Sequence, residues 1–210
     1  MTEPAGAISP ARVILATRNP GKLAELRRIL AAAGVGVAVT DLDDVPGMPE
    51  VAETGRTFAD NALLKARAVA AFTGLPAVAD DSGLCVDVLN GMPGVLSARW
   101  SGSHGDDEAN LRLLLGQLAD VPAGERGAQF ACVAALVLPS GGEHLADGTM
   151  RGRLTRSPRG SNGFGYDPIF VPDGFELTTA QMSAGEKDKI SHRGKALRAL
   201  APVIARELKG

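Results

Sequence analysis

The sequence predicts an α/β fold built on a mixed β-sheet. Two features of the chain point there: a strand–helix–strand succession opens it, and two long strand-like runs in its second half read as a hairpin. The first run, RVILAT, is short and apolar, as a buried strand is. A helix follows from about Gly21 to Ala33, with Leu23, Leu26, Ile29 and Leu30 on one face. Gly34 ends it, and VGVAVT reads as the next strand. Pro, Gly and acidic residues mark DLDDVPGMPEVAETG as loop. Thr57 is placed to cap a second helix, with Asp60 three residues on, running through FADNALLKARAVAAF to Gly74. LPAVAD and LCVDVL read as two strand segments parted by a break at DDSG, with a turn at NGMPG. Asp106 or Asp107 caps a third helix, DDEANLRLLLGQLAD. AQFACVAALVLP is a long apolar strand, and GGEHLADGTMRGRLTR is its hairpin return. A glycine-rich RGSNGFGYDP and a mixed segment precede a last helix, from near Ser191 to Leu208, with a kink expected at Pro202.

Composition narrows the function classes. A chain of 210 residues, 45% hydrophobic, can bury a core as one large domain. The 22 basic and 24 acidic residues nearly balance, which argues against a nucleic-acid coat protein. No apolar run approaches the ~18 residues that span a bilayer. Residues 1–10 lack a basic and an apolar region and read as a flexible tail, leaving 11–210 as the domain. Cys85 and Cys132 sit in apolar contexts and read as buried thiols of a reducing, cytoplasmic compartment.

Four stretches carry candidate chemistry. LATRNPGKLAEL runs from a strand into a helix through Thr17, Arg18, Asn19, Pro20, Gly21 and Lys22. It is not a P-loop: Ala16 stands where the first Gly belongs, and Leu23 where Ser or Thr would bind magnesium. A lysine at a helix N-terminus still suits an anion, although an ordinary βα turn has the same look. In ADDSG, Asp80 and Asp81 are expected at a strand end, where adjacent carboxylates call for a cation between them. Magnesium fits that role and one carboxylate can serve as general base; a solvated turn is the alternative. Glu53 is a further acid for such a site, whereas Asp60 suits helix-end electrostatics. In PRGSNGFGYDP, Phe164 and Tyr166 offer flat faces for a base among glycines, or plug a packed loop. In EKDKISHRGKAL, Lys187, Lys189, His192 and Arg193 crowd a helix start, an unfavourable place for cations unless an anion or base edge compensates. Arg151, Arg153, Arg156 and Arg159 form a weaker basic signal.

Taken with ETGRTFADNALLKA and ADDSGLCVDVLNGMPGVLSAR, these stretches occur in order over residues 12–207. Together they resemble the inosine triphosphate pyrophosphatase family of house-cleaning enzymes. The resemblance implies an elongated, two-lobed α/β fold with the active-site cleft between its lobes. It implies a magnesium-dependent homodimer that hydrolyses dITP, ITP and XTP to the monophosphate and pyrophosphate. By motif, Thr17, Asn19 and Lys22 would hold the triphosphate, with Arg18, Pro20 and Gly21 in the same turn. Asp81 would be the general base, and Asp80, Asp81 and Glu53 the magnesium ligands. Ser82 would lie beside the substrate; Phe164, Gly165, Tyr166 and Asp167 would line the nucleoside pocket, with Lys187, His192 and Arg193 closing on the purine. A Maf-type nucleotide pyrophosphatase, and a non-catalytic nucleotide- or RNA-binding protein, are the alternatives; GFGYDP with SHR favours the first reading, and the Asp pair disfavours the last.

Overall fold

The computed structural model describes residues 11–208; the expected tail, residues 1–10, lies outside the described residues. A six-stranded mixed sheet runs through the molecule in the order β2-β1-β3-β4-β5-β6. Its strands are β1 (Arg12–Leu15), β2 (Ala38–Asp41), β3 (Ala77–Val86), β4 (Gly127–Val137), β5 (Glu143–Leu154) and β6 (Phe170–Pro172). β1 pairs in parallel with both β2 and β3, and all later pairings are antiparallel. Helices α1 (Pro20–Ala32) and α2 (Phe58–Thr73) make the parallel crossovers; α3 (Asp107–Gln117), α4 (Ala184–Ile190) and α5 (His192–Glu207) complete the set.

The mixed sheet, the helix limits and the hairpin agree with the sequence pattern, and local chemistry shows why. Asn19 Oδ1 caps α1 by accepting from Gly21 N and Lys22 N. Thr57 and Asp60 form a reciprocal capping box at α2, and Gly74 ends that helix at φ 67°. Asp106, rather than Asp107, caps α3 through Ala109 N. Two expectations change. DDSG is no break: β3 runs unbroken through it, because β4 pairs with it residue for residue from Ala77 to Val86. The segment before the last helix holds a separate short helix, α4, which ends where Ser191 caps α5.

Strand alternation then decides what faces where. On one face of β3, Val78 joins the cluster that α1 and α5 cover, while Leu84 and Val86 join a second cluster with α3, Phe130 and Phe170. Asp80 and Ser82 fall on that face between the two clusters. On the other face, Ala77 and Ala79 pack against Ala62, Ala66 and Val69 of α2, and Asp81 follows them. β1 stops at Leu15, opposite Val78, so among the described residues no strand pairs with residues 79–82 on that side, before Leu84 and Cys85 meet Ser97 and Pro93.

Gly148 of β5 sets how closely α5 approaches the sheet. A Cβ there would collide with the His192 carbonyl and lie 2.6 Å from Ala196 N. Gly148→Ala is expected to cost about 1–3 kcal/mol of stability, the range for overpacking. Denaturant unfolding measures it.

Candidate active site

A cavity of about 740 Å³ lies between the two clusters on the α1/α5 face of the sheet. It gathers Asn19, Gly21, Lys22, Ser82, Phe164, Gly165, Tyr166, Asp167, Lys187, His192 and Arg193 from four distant stretches. At its edge the Lys22 ammonium and the Arg193 guanidinium both meet Asp80 Oδ2, at 2.9 and 3.0 Å. Arg193 also donates to Ser82 Oγ at 3.1 Å. Burial pushes the Asp80 carboxyl up, but the charges of Lys22 and Arg193 outweigh it and hold Asp80 well below the usual carboxylate range. Glu25 Oε2 lies 3.9 Å from Arg193 as well, so two cations meet two carboxylates here, and a further anion would compete with Asp80 and Glu25 for Lys22 and Arg193.

His192 lies flat against Phe130, with ring centroids 4.9 Å apart and planes 11° from parallel. Burial, then the Arg193 and Lys187 charges, bring it down to about 3, so the ring is neutral at pH 7. Its Nδ1 is buried and has no hydrogen-bond partner among the described residues. In a cavity wall, such an atom is a hydrogen-bonding group awaiting a ligand.

The glycine loop is held rather than loose. Asp167, 2% exposed, accepts from Phe164 N at 2.9 Å and Thr179 Oγ1 at 2.8 Å, and pairs with Lys187. Asp107 accepts from Gly165 N at 2.8 Å. Phe164 is 59% exposed with Lys187 Nζ 5.1 Å from its ring centre, so it presents a free face. Tyr166 does not: its ring packs in the α3 cluster and its hydroxyl donates to the Ser97 carbonyl at 2.9 Å. It plugs the loop with one edge toward the cavity.

Asp81 stands on the opposite face of β3 from Asp80, since successive strand residues alternate. Asn61 Nδ2 donates to Asp81 Oδ2 at 2.9 Å, and Asn61 Oδ1 accepts from Gly55 N at 2.8 Å, which fixes the amide. Lys65 Nζ lies 2.6 Å from Glu53 and 3.6 Å from Asp81 Oδ1. Burial raises the Asp81 carboxyl and Lys65 only partly opposes it. Burial also raises Glu53, but Lys65 and Arg99 carry it below its ordinary value. Neither Asn61 nor Lys65 stands out in the sequence by itself. Their signal is a polar pair at i,i+4, next to the buried alanines of α2.

The expected trio Glu53, Asp80 and Asp81 is therefore not gathered at one point. Among the described residues no group of three or more His, Cys, Asp and Glu is placed to hold a metal ion. Glu53 and Asp81 share Lys65 on one side of the strand, while Asp80 is occupied by two cations on the other. Thr17, Arg18 and Pro20 do not line the cavity. Thr17 accepts from Asn19 N and steadies the turn, and Arg18 reaches away to Asp43 at 2.8 Å. Because Asn19 takes up the first free amides of α1, Lys22 rather than bare N–H groups is what the turn offers an anion. Arg193 and Asp80 compensate each other at the α5 start.

Of the other basic residues, Arg151 pairs with Asp87 at 2.8 Å. Cys85 and Cys132 are free, Cys132 buried and Cys85 half-buried. No helix among the described residues is long and apolar enough to cross a membrane.

Fold and site define an α/β protein whose mixed sheet carries a partly apolar cleft with paired charges, Lys22 and Arg193 at its edge, on one face and a shielded carboxylate on the other. The chain belongs to the Ham1 family, whose model matches residues 13–203. It is 62% identical over 199 residues to the dITP/XTP pyrophosphatase of Streptomyces avermitilis, covering 95% of this chain and 99% of that one. The solved dITP/XTP pyrophosphatase of Mycobacterium abscessus is 57% identical, with a TM-score of 0.78 over 92% of this chain and 99% of its own. A HAM1 protein of Coxiella burnetii, 39% identical, superposes at a TM-score of 0.86 over 93% of this chain and 99% of its own.

Proposed function

We propose that the protein hydrolyses the noncanonical purine nucleotides dITP, ITP and XTP to the monophosphate and pyrophosphate, cleansing the nucleotide pool. The observation that carries this is the pairing across one strand of a cleft, edged by Lys22 and Arg193 and containing a neutral histidine with a free Nδ1, with a shielded carboxylate, Asp81. Relatives called dITP/XTP pyrophosphatases at 62% and 57% identity support it.

The purine enters between Phe164 and the His192–Phe130 stack, and the phosphates run over Lys22 toward the end of β1, where β3 is uncovered. Lys22 and Arg193 offset phosphate charge. Water attacks at the α–β bridge: its oxygen bonds to phosphorus, its proton goes to Asp81, and the bridging P–O bond breaks with its electron pair leaving on pyrophosphate. Asn61 occupies Asp81 Oδ2, which leaves Oδ1 to take the proton. Glu53 and Asp81 fit magnesium, which takes one or two carboxylates plus phosphate oxygens. When bound it would offset the charge developing on the phosphates.

Base selection follows from hydrogen-bond satisfaction. A 6-oxo purine offers an acceptor to a donor on His192, whereas a 6-amino purine would leave buried groups unpaired. A homodimer of two-lobed 11–210 units acting in the cytoplasm belongs with the same assignment through the family likeness.

With magnesium, the protein is expected to release pyrophosphate from ITP, dITP or XTP with kcat/KM about 10²-fold or more above ATP. A substrate panel with product identification measures it. Orthophosphate as the product, or equal rates on all purines, would overturn the assignment.

A further inference from the structure

A second cavity, of about 580 Å³, opens between residues 123–126, the end of β5 and residues 155–159. Four arginines line it, Arg126, Arg153, Arg156 and Arg159, with Thr155 and Ser157; no acidic residue does. It shares no lining residue with the active-site cavity. Arg126 is only 2% exposed. It donates to the carbonyls of Leu118 at 2.7 Å, Val121 at 3.4 Å, and Leu154 and Thr155, each at 3.2 Å. Arg156 donates to the carbonyls of Ala119 and Val121, both at 3.1 Å. The two guanidiniums thus share the Val121 carbonyl, and neither forms an ion pair with an acid among the described residues. Carbonyls just past α3 orient them, so capping of that helix explains this pair. It does not explain the other two. Arg153 meets only Glu176, at 3.3 Å, whose side chain is 93% exposed. The Arg159 guanidinium has no hydrogen-bond or ion-pair partner among the described residues.

A buried cation with its hydrogen bonds made and its charge uncompensated favours an anion nearby. Guanidinium forks suit phosphate oxygens, and no aromatic ring lines the space to stack a base. We propose that this cavity binds a small phosphate-bearing polyanion, either free diphosphate or the oligophosphate of a nucleotide, at a site separate from the active-site cleft. Arg153 and Arg159 are the movable arms, and Arg126 and Arg156 the fixed floor.

The test is calorimetric titration of the full chain with inorganic diphosphate, without divalent cation. The wild type should show two classes of site. Arg153→Ala with Arg159→Ala should weaken one of them by about tenfold or more, the scale of lost charge-assisted hydrogen bonds. Both side chains lie outside the core, so the unfolding midpoint and turnover should stay unchanged; Lys22→Ala should keep the arginine site and lose the other. Competition by a nucleoside triphosphate at the arginine site would assign it to a nucleotide tail, and its absence to free diphosphate; either upholds the proposal. Diphosphate binding that ignores the double substitution overturns it. So does a double variant that loses only single-stranded RNA binding.

Discussion

Asp81→Asn is expected to lower turnover by about 10²–10⁴, the usual worth of a general base, with little change in KM or in stability. The amide keeps the shape of the carboxyl group, and its oxygen can still accept from Asn61 Nδ2 at the 2.9 Å contact. Lys65 keeps its partner Glu53, so no buried cation is orphaned. On the proposed mechanism, what disappears is the acceptor for the proton of the attacking water. The pH profile supplies an independent check. Burial raises the Asp81 carboxyl above its ordinary value, and a base works only when unprotonated. The wild-type rate should therefore fall on the acid side at a pH above the ordinary value of an aspartate, and the variant's residual rate should lack that limb. Pyrophosphate release measured against pH tests both at once. Turnover near the wild type would remove Asp81 from the role.

The contrast between Asp80 and Asp81 shows where sequence reading succeeds and where it stops. That the ADDSG segment matters was legible, because two carboxylates beside an apolar run are costly. Their division of labour was not, since it depends on DDSG being strand rather than turn. Pairing with β4 settles that, and such pairing joins residues about fifty apart in the chain, from Asp80 to Ala134 and Asp81 to Val133. Once the segment is a strand, alternation sends Asp80 toward Lys22 and Arg193, and Asp81 toward α2. A cation between the two carboxylates is then unnecessary, and it is Glu53 that shares a face with Asp81, both meeting Lys65.

Helices were easier to read than the site, because caps are local. Thr57 with Asp60, Asn19 before Pro20, and Ser191 before His192 each act within three residues. Tyr166 marks the opposite case. In sequence it is an aromatic among glycines, like Phe164; in the fold, Ser97 captures its hydroxyl from 69 positions away and turns it into a plug. Asn61 and Lys65 are silent in the sequence for the same reason: a polar residue beside an apolar helical stripe acquires meaning only from its partner on the sheet, here Asp81.

Asp80→Asn tests the other half of the pair and should act on stability. It removes the carboxylate that Lys22 and Arg193 share: Lys22, with its side chain 20% exposed, loses its acid partner, and Arg193, 12% exposed, keeps only Glu25 at 3.9 Å. Breaking a buried pair from one side costs about 3–5 kcal/mol. The pH dependence separates this from a mere packing defect. The folded-state pKa of Asp80 lies below its ordinary 3.8, so its contribution is present above that pH and drains away as pH falls toward the folded value. The gap in unfolding free energy between wild type and Asp80→Asn should be widest near pH 7 and narrow below about pH 4. His192 adds a limb that both proteins share. Its pKa drops from 6.5 to about 3 on folding, so the unfolded chain binds the extra proton across that window and each protein loses stability as pH falls from about 6.5 toward 3. Urea unfolding at a series of pH values distinguishes the two effects. A gap that stays constant from pH 7 to pH 3 would mean that Asp80 contributes shape rather than charge. The cationic end of the cleft would then owe its position to the packing of α5 on Gly148 rather than to the ion pairs.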